Sequence, residues 1–356
     1  MSQNNPLDLI ESILADPEVT EIMIDNWQHV YLEKENKFVD IPSPFSNEAQ
    51  LVDLAQAIAA QVGRTLNAAN PLLDVRLVYN SRVNIALPPV SLKGPTITIR
   101  KLSMNTFSEE QLVHWGTLSQ DMLDFFRACI QGRLNIAVAG GAGSGKSTML
   151  NLLAKMIPAE ERIIVVQETC ELTLPQPRVV ALNTRPPDME GRGAITLRDL
   201  VYNAVRMRPD RVLLAEALGP ELLDFLTAMN NGHDGSMFSL HSGSIQDTLS
   251  RIEILAGMGN PSLPLLSLRT QIASALNLIL YQERMADGTR KILNVAEVTG
   301  VQDGVIVTRE LFGFHRTGMK EGLIQGMHSA TGAIPGFLSQ LRSAGIELPV
   351  SLFTPV

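Results

Sequence analysis

Cysteine is scarce in this 356-residue sequence, since only Cys129 and Cys170 occur and they form no CxxC pair. The sequence therefore predicts neither a disulfide framework nor a thiolate zinc site, and a reducing compartment is the simpler interpretation. A basic excess is also missing, because 29 Lys and Arg stand against 37 Asp and Glu, for a formal net charge of -8. Such a chain has no global electrostatic attraction for nucleic acid or anionic lipid.

Targeting and membrane-spanning segments are absent from the pattern as well. The start MSQNNPLDLIESILADPEV lacks the basic residues and the apolar stretch of a signal peptide, so we expect a cytoplasmic protein. The most apolar later segment, PSLPLLSLRTQIASALNLILY, is interrupted by Arg269 and Gln271. It falls short of the uninterrupted run of about 18 residues that a spanning helix needs, and it predicts a helix of the protein core.

The length favours about two domains. Residues 6–15 predict a short helix, and VTEIMIDNWQHVYLEKENKFVDI alternates like strands, with polar turns near Asp25-Asn26 and Glu35-Asn36. A helix over residues 48–63 and strands in DVRLVYNSRVNIALPPV and PTITIRKLS complete a small α+β domain, which we place at residues 1–103.

A polar linker leading into a helix is predicted over residues 104–125, and the pattern changes after it. LNIAVAG, RIIVVQE and DRVLLAE are short apolar runs separated by helical stretches, as in a parallel sheet covered on both faces. Residues 126–356 therefore predict an α/β domain with a mostly parallel sheet. Near its end, Asp303-Gly304 lies between two strand-like runs and indicates a hairpin.

A glycine-rich motif, GGAGSGKS, separates the strand LNIAVAG from the helical segment KSTMLNLLAKM. Its backbone N–H groups and the following helix N-terminus would bind nucleotide phosphates, Lys146 would reach the β- and γ-phosphates, and Ser147 or its neighbour Thr148 would contact Mg²⁺. The pattern thus predicts binding of ATP or GTP. The loop residues before the lysine are Gly140, Gly141, Ala142, Gly143, Ser144 and Gly145.

Carboxylates at strand ends supply the second part of the expected chemistry. Glu216 follows the strand DRVLLA, where a carboxylate can polarise the attacking water and complete the Mg²⁺ shell. Glu168 and Glu171 follow RIIVVQ, near the edge where substrates bind in such sheets. Glu216 could instead be a surface glutamate at a strand end, and either Glu168 or Glu171 a solvated residue of a turn.

Two histidines, His233 and His241, lie eight residues apart in NGHDGSMFSLHSGS. Their spacing is wrong for a helical zinc pair and no cysteine is near, so we expect phosphate sensing and no zinc, or else a purely structural role. Arginines concentrate in TRPPDMEGRGAITLRDLVYNAVRMRPDR and could neutralise phosphate charge from a neighbouring subunit or form ordinary salt bridges. The candidates among them are Arg185, Arg192, Arg206 and Arg208.

Together these segments resemble the secretion-ATPase superfamily, and most closely the CpaF/TadA-type motor of tight-adherence (Flp) pili. EVTEIMI, SRVNIALPPV and GPTITIRK are similar to the N-terminal domain of that family, and GGAGSGKST to its Walker A segment. ETCEL resembles its Asp box, RPDRVLLAE its Walker B segment and NGHDGSMFSLHSGS its His box. The likeness covers nearly the whole chain, and the arginine-rich run and the tail GAIPGFLSQLRSAGIELPVSLF are its most specific parts.

The resemblance implies a RecA-like P-loop core after a smaller PAS-like domain, in a hexameric ring that binds nucleotide between the two domains. It implies hydrolysis of ATP with Mg²⁺, and docking at the inner membrane to platform proteins that act on pilins. Arg82 in SRVN and Arg100 in TIRK are candidates to approach the nucleotide from the N-terminal side, or else ordinary strand-end arginines.

Some positions depart from the family pattern. AEALG stands where the family has a GEVRG-like segment, so Ala215 replaces a glycine and Leu218 an arginine, and a bidentate donor is lost. Glu168 occupies a position where the family usually has aspartate, and Cys170 one where the family usually has a small residue. A regulatory or scaffold subunit with weak hydrolysis therefore stays open, as does a VirB11-like conjugation or secretion ATPase. A nucleic-acid motor is least favoured, because no basic, aromatic-rich track occurs.

Overall fold

The computed structural model describes residues 6–34, 37–77, 81–101, 107–187 and 191–355. The chain divides into two compact units, Met1–Asn105 and Thr106–Val356. The predicted turn at Glu35-Asn36 and the predicted boundary at residue 103 lie outside the described residues.

The first unit is an antiparallel sheet with two helices. Its strands lie in the order β3-β2-β1-β6-β5-β4, and the predicted turn at Asp25-Asn26 joins β1 to β2. Buried side chains of the sheet and of α2 form one apolar core. The elements are α1 (Asp8–Ala15), β1 (Val19–Ile24), β2 (Val30–Lys34), β3 (Lys37–Ile41), α2 (Glu48–Gln61), β4 (Leu72–Leu77), β5 (Ser81–Ala86) and β6 (Thr96–Lys101).

The second unit is built on a nine-stranded sheet in the order β15-β14-β13-β12-β7-β11-β10-β8-β9. Its strands are β7 (Ile136–Gly140), β8 (Ile163–Gln167), β9 (Val179–Asn183), β10 (Arg211–Leu214), β11 (Met237–His241), β12 (Leu278–Arg284), β13 (Arg290–Gln302), β14 (Val305–Lys320) and β15 (Leu323–Ala330). The six neighbouring strands β12-β7-β11-β10-β8-β9 pair in parallel. The pairs β12-β13, β13-β14 and β14-β15 are antiparallel. The predicted α/β fold with a mostly parallel sheet is confirmed.

Helices cover both faces of this sheet, because its central strands are apolar on both sides. Along β7, Ile136 and Val138 pack into one core and Ala137 and Ala139 into the other. The predicted boundary between residues 125 and 126 falls inside the helix Gln120–Gln131. The helices are α3 (Glu109–His114), α4 (Gln120–Gln131), α5 (Lys146–Lys155), α6 (Leu197–Ala204), α7 (Glu221–Asn230), α8 (Ile245–Gly259), α9 (Leu265–Ala275) and α10 (Leu338–Ser343), with a 3₁₀ turn at Val350–Phe353.

The segment predicted as one core helix, PSLPLLSLRTQIASALNLILY, is a helix in its first part only. Its helical part is α9, and its last residues, LILY, begin β12 beside β7. These four residues are buried, and an apolar run of that length fits a buried strand as well as a helix. The prediction of a single helix was therefore wrong for its C-terminal part. No helix among the described residues is long and apolar enough to cross a membrane.

The hairpin β14–β15 carries a half-buried histidine whose titration should set part of the pH dependence of stability. Burial lowers the pKa of His328 to about 4. The hydrogen bond that Nε2 donates to the Ile292 carbonyl at 2.9 Å raises the pKa and so opposes part of this shift. The unfolded chain then takes up this proton near pH 6.5 and the folded protein only near pH 4. The resulting stability is present above pH 6.5 and is lost as the pH falls toward 4.

Replacing His328 by glutamine keeps a donor and removes the titrating group. We expect wild type to lose about 2 kcal/mol more of its free energy of unfolding between pH 7.5 and pH 5 than the variant does. Urea unfolding of both proteins at the two pH values measures this difference. Equal pH dependence in the two proteins would show that His328 is not buried in its neutral form.

Candidate functional site

The phosphate loop connects the end of β7 to the start of α5, in the middle of the sheet. Gly143 and Gly145 have φ values of 69° and 97°, in the left-handed region that favours glycine. Gly145 caps α5 without a side-chain hydrogen bond, so the first N–H groups of the helix are free for an anion. This backbone fits the phosphates of a nucleotide.

Gly140 is required by the close approach of a neighbouring strand. A Cβ atom at this position would lie 2.2 Å from the backbone oxygen of Gln282 and 2.5 Å from Oγ of Ser144. Gly141 and Ala142 are exposed at the tip of the loop, and Thr148 is half-buried on α5. The loop is therefore packed against β12 on one side and open on the other.

Lys146, at the start of α5, is buried although it carries a charge, with 8% of its surface exposed. Its Nζ donates to the carbonyl of Gly141 at 3.1 Å and lies 3.1 Å from Nδ1 of His241. Desolvation lowers the pKa of Lys146, and the charges of Glu216 and Glu171 oppose that shift. The ammonium group is thus held at the loop, where it can meet a phosphate oxygen.

His241 and Glu216 extend this contact across the sheet. β11 lies between β7 and β10, so the ends of three neighbouring strands bring Lys146, His241 and Glu216 together. Because an ammonium group can only donate, Nδ1 of His241 accepts, and Nε2 then carries the proton that faces Glu216. Oε1 of Glu216 lies 2.7 Å from Nε2, a close polar contact without the alignment of a good hydrogen bond.

Ser147 is linked to the loop that follows β8. Its hydroxyl donates to Oε2 of Glu171, and the hydroxyl of Thr169 donates to Oε1 of the same carboxylate at 3.1 Å. The side chain of Gln167 accepts from the backbone N–H of Glu171 at 3.1 Å, and the side chain of Asn151 on α5 donates to the carbonyl of Glu171 at 2.9 Å. Glu171 is therefore fixed beside the residue that the motif assigns to Mg²⁺.

The donor set suits a magnesium nucleotide. Mg²⁺ is usually held by one or two oxygen ligands of the protein together with phosphate oxygens and water. Ser147 and Glu171 supply such oxygens here, and Glu216 lies close enough to Lys146 to act on its pKa. Among the described residues, no three His, Cys, Asp or Glu side chains gather into a metal-holding group.

Glu168 and His233 do not join this network. Glu168 is exposed, and its side chain makes no hydrogen bond or ion pair in the parts of the chain that the structure describes. His233 precedes β11, whereas His241 ends it, so the two histidines lie at opposite edges of the sheet. Nδ1 of His233 contacts the carbonyl of Ala228 at 3.1 Å. The structure therefore does not bring His233 to the phosphate loop of its own chain.

The predicted arginines are dispersed over the second unit. Arg185 follows β9 at the same edge as the loop, roughly 19 Å away across four strand spacings, and donates to the carbonyl of Gly193 at 2.7 Å. Arg206 stacks on Tyr202, and Arg208 precedes β10, so both lie toward the opposite edge. Arg192 is exposed. Among the described residues, no contact joins Arg185, Arg206 or Arg208 to the phosphate loop.

Arg82 and Arg100 lie in the first unit. They face each other across β5 and β6, and Arg82 makes a two-point contact with Asp74 at 2.8 and 3.0 Å. Arg100 is exposed. The carboxylate neutralises part of the charge that Arg82 was predicted to offer.

The departures from the family pattern have local consequences. The carbonyl of Ala215 accepts from the hydroxyl of Ser239 at 2.6 Å, which ties β10 to β11. Leu218 has 41% of its surface exposed, and Oε1 of Glu221 accepts from the N–H groups of Leu218 and Gly219 at 2.6 and 2.7 Å. The loop after Glu216 is thus held by a carboxylate and presents an apolar side chain to solvent.

Sequence reasoning missed three residues beside the phosphate loop. Gln282 donates Nε2 to the carbonyl of Ser144 at 2.8 Å, and Arg290 donates Nε to the carbonyl of Gly143 at 2.9 Å. Arg284 lies over Gly143. No sequence signal indicates these contacts, because they depend on β12 pairing with β7 across 138 positions of the chain.

Comparisons with known proteins identify the family of the chain. The family model described as "Type II/IV secretion system protein" matches residues 3–308. A putative conjugal transfer protein of Mycobacterium tuberculosis is 30% identical over 294 residues, covering 81% of this chain and 83% of that protein. The type IV secretion system protein VirB11 of Bartonella henselae is 27% identical, covering 81% and 91%. The ATPase DotB of Legionella pneumophila shares the fold, with a TM-score of 0.59, 18% identity and coverage of 83% and 82%.

Proposed function

The chain belongs to the family of type II/IV secretion system proteins and is an ATPase, and we propose that it hydrolyses ATP at the phosphate loop to power a type IV secretion or pilus machine. The observation that carries this proposal is the continuous contact from Lys146 through His241 to Glu216. It joins a phosphate-binding cation to a carboxylate at the strand end where a water must be activated.

Each residue of the contact has a distinct task in this mechanism. Lys146 offers a positive charge to the phosphates, and its desolvation makes that charge more effective. The hydroxyl of Ser147 and the carboxylate of Glu171 would hold Mg²⁺, which would supply positive charge to the phosphates. Glu216 orients the attacking water and accepts its proton, and His241 fixes the carboxylate beside the lysine.

We infer further that the machine assembles a tight-adherence pilus. Support comes from the sequence segments that resemble the CpaF/TadA-type motor, in particular the arginine-rich run and the C-terminal tail. On this proposal the protein is a cytoplasmic homohexamer that docks at the inner membrane on platform proteins and acts through them on pilins. A conjugation role is the nearest alternative, because relatives with conjugal and type IV secretion names are similar along most of the chain.

A regulatory subunit with slow hydrolysis is the second candidate, and one observation favours it. Leu218 exposes an apolar side chain where the family has an arginine, so the loop after Glu216 has lost a charged donor. Cations from a neighbouring subunit can compensate for this loss. Arg185, Arg192, Arg206 and Arg208 are the candidates that the sequence offers.

A motor that depends on neighbouring subunits should show activity that rises with protein concentration. We expect the specific ATPase activity to increase several-fold across the range in which sedimentation shows the monomer converting to the ring. Activity assays and sedimentation on the same dilution series measure this. A monomer with the full specific activity would contradict the proposed role of arginines from a neighbouring subunit.

A cellular test separates the pilus machine from the other systems. In a strain of the source organism that lacks the chromosomal copy, wild type should restore surface pili and the Lys146→Ala variant should not. Counting pili by electron microscopy, with conjugation frequency measured in parallel, gives the answer. Unchanged pili in the deletion strain, with impaired conjugation, would replace the pilus assignment by the conjugation one.

A further inference from the structure

Two arginines that the proposed mechanism does not use lie beside the phosphate loop. Arg284 ends β12 and Arg290 begins β13, and they face each other as a cross-strand pair. Like charges placed directly opposite each other destabilise a sheet. Neither guanidinium has a carboxylate partner in the part of the chain that the structure describes. Such a pair is expected where an anion binds.

The pair is directed at the loop by the register of the sheet. Gln282 lies beside Gly140, the last residue of β7, so β12 continues for two residues past the end of β7 and places Arg284 over the loop. A Cβ atom built on Gly143 would lie 3.8 Å from Nη1 of Arg284, and the carbonyl of Gly143 accepts from Nε of Arg290 at 2.9 Å. One exposed loop residue therefore meets both cations.

Arg290 and Gln282 also determine how the loop backbone is oriented. They donate to two successive carbonyls, those of Gly143 and Ser144, at 2.9 and 2.8 Å. The carbonyl and the N–H of a trans peptide unit point in opposite directions. Holding both carbonyls toward the hairpin turns the N–H groups of Ser144 and Gly145 away from it and into the loop. There the N–H of Ser144 donates to the carbonyl of Gly141 at 3.4 Å, and the N–H of Gly145 can meet an anion.

The environment of Arg290 agrees with a site that is completed by an anion. Burial lowers the pKa of this guanidinium, and the charge of Arg284 lowers it further. A phosphate group beside the pair would remove the repulsion between the two cations. Its binding would be strong, because hydrogen bonds between a guanidinium and a phosphate are charge-assisted.

We propose that the hairpin formed by β12 and β13 completes the phosphate site, with Arg284 as a phosphate-binding residue and Arg290 as a positioning residue that holds the loop. The inference rests on the proposed function, since it assumes that a nucleotide binds at this loop. It goes beyond that function by assigning a second cationic contact, supplied by the same chain, on the side of the loop away from Lys146 and His241.

Binding of two ligands to the full-length chain tests the role of Arg284. Displacement of a fluorescent ADP analogue by ADP and by inorganic pyrophosphate is measured for wild type, Arg284→Met and the matched control Arg316→Met, which changes an exposed arginine of β14. We expect Arg284→Met to weaken both ligands by the same factor, about tenfold or more, and the control to match wild type.

Two results would overturn the assignment of Arg284. One is equal binding by Arg284→Met and Arg316→Met. The other is weaker binding of ADP by Arg284→Met with unchanged binding of pyrophosphate, which would show that Arg284 contacts the nucleoside and not the phosphates. Failure of wild type to bind the fluorescent analogue would instead contradict the proposed function itself, so the two failures are distinguishable.

Steady-state kinetics test the positioning role of Arg290. We expect Arg290→Met to raise the KM for ATP at least severalfold, and Arg290→Lys to recover part of the loss, because lysine can still donate to the carbonyl of Gly143. The thermal midpoint should match that of Arg316→Met, which excludes a general loss of stability. An unchanged KM in Arg290→Met, or no recovery in Arg290→Lys, would contradict this role.

Discussion

Replacing Lys146 by alanine should reduce Mg²⁺-dependent ATP hydrolysis by at least about a hundredfold. The lysine is almost completely buried, and its ammonium group lies between the carbonyl of Gly141 and the ring of His241. Alanine removes the one cation that reaches the phosphates from α5. The measurement is phosphate release at saturating ATP, with circular dichroism to verify that the variant is folded.

Lys155→Ala is the matched control for this variant. Lys155 is the last residue of the same helix, about 13 Å along its axis from Lys146. It changes the same type of side chain in the same element, so it should retain wild-type activity. Undiminished hydrolysis by Lys146→Ala would contradict the assignment of the phosphate loop as the active site.

Replacing Glu216 by glutamine should separate binding from chemistry. The carboxylate contacts His241 and not the phosphate loop directly, so ATP should still bind with an affinity close to that of wild type. Glutamine cannot accept a proton from water, and we expect the rate of hydrolysis to fall by about a hundredfold or more. Nucleotide affinity and single-turnover rate, measured on the same preparation, give the two values.

Asp234→Asn is the control for the loss of one negative charge, since Asp234 is exposed and precedes β11 at the opposite edge of the sheet. It should hydrolyse ATP like wild type. If Glu216→Gln kept the wild-type rate, the catalytic carboxylate would have to be another one, and Glu171 would be the next candidate because it already contacts Ser147.

The strands of the parallel sheet could be predicted because each is a short, continuous apolar run. β7, β8 and β10 are buried along their whole length, as expected for strands covered on both faces. β12 begins with a similar apolar run, LILY, but this run follows α9 almost directly, so the sequence pattern merges the two into one predicted helix. A run of four apolar residues cannot by itself distinguish a strand from the end of a helix.

Turns illustrate the same limit. Asp303 and Gly304 have φ values of 51° and 78°, and the hairpin predicted from this pair joins β13 to β14. Glu321 and Gly322 have nearly the same φ values, 52° and 79°, and join β14 to β15. Glutamate is not among the residues that normally mark such a turn, so the second hairpin had no clear signal.

The site could be predicted in its parts but not in its assembly. The motif indicates Lys146 and Ser147 because residues of a phosphate loop are adjacent in sequence. Lys146 and His241 are 95 positions apart, and their contact depends on β11 lying between β7 and β10. Strand order is set by the packing of the whole sheet. For the same reason His233, eight residues from His241, could not be excluded by its spacing.

Single-turnover hydrolysis tests the central claim most directly. A trace of ATP is mixed with an excess of the ring-forming protein and Mg²⁺, and the conversion of bound ATP to ADP is followed with time. We predict that wild type converts all of it within a few turnover times while Glu216→Gln keeps it bound and intact. Wild type that binds ATP without cleaving it, or equal cleavage by both proteins, would contradict an ATPase that works through Glu216.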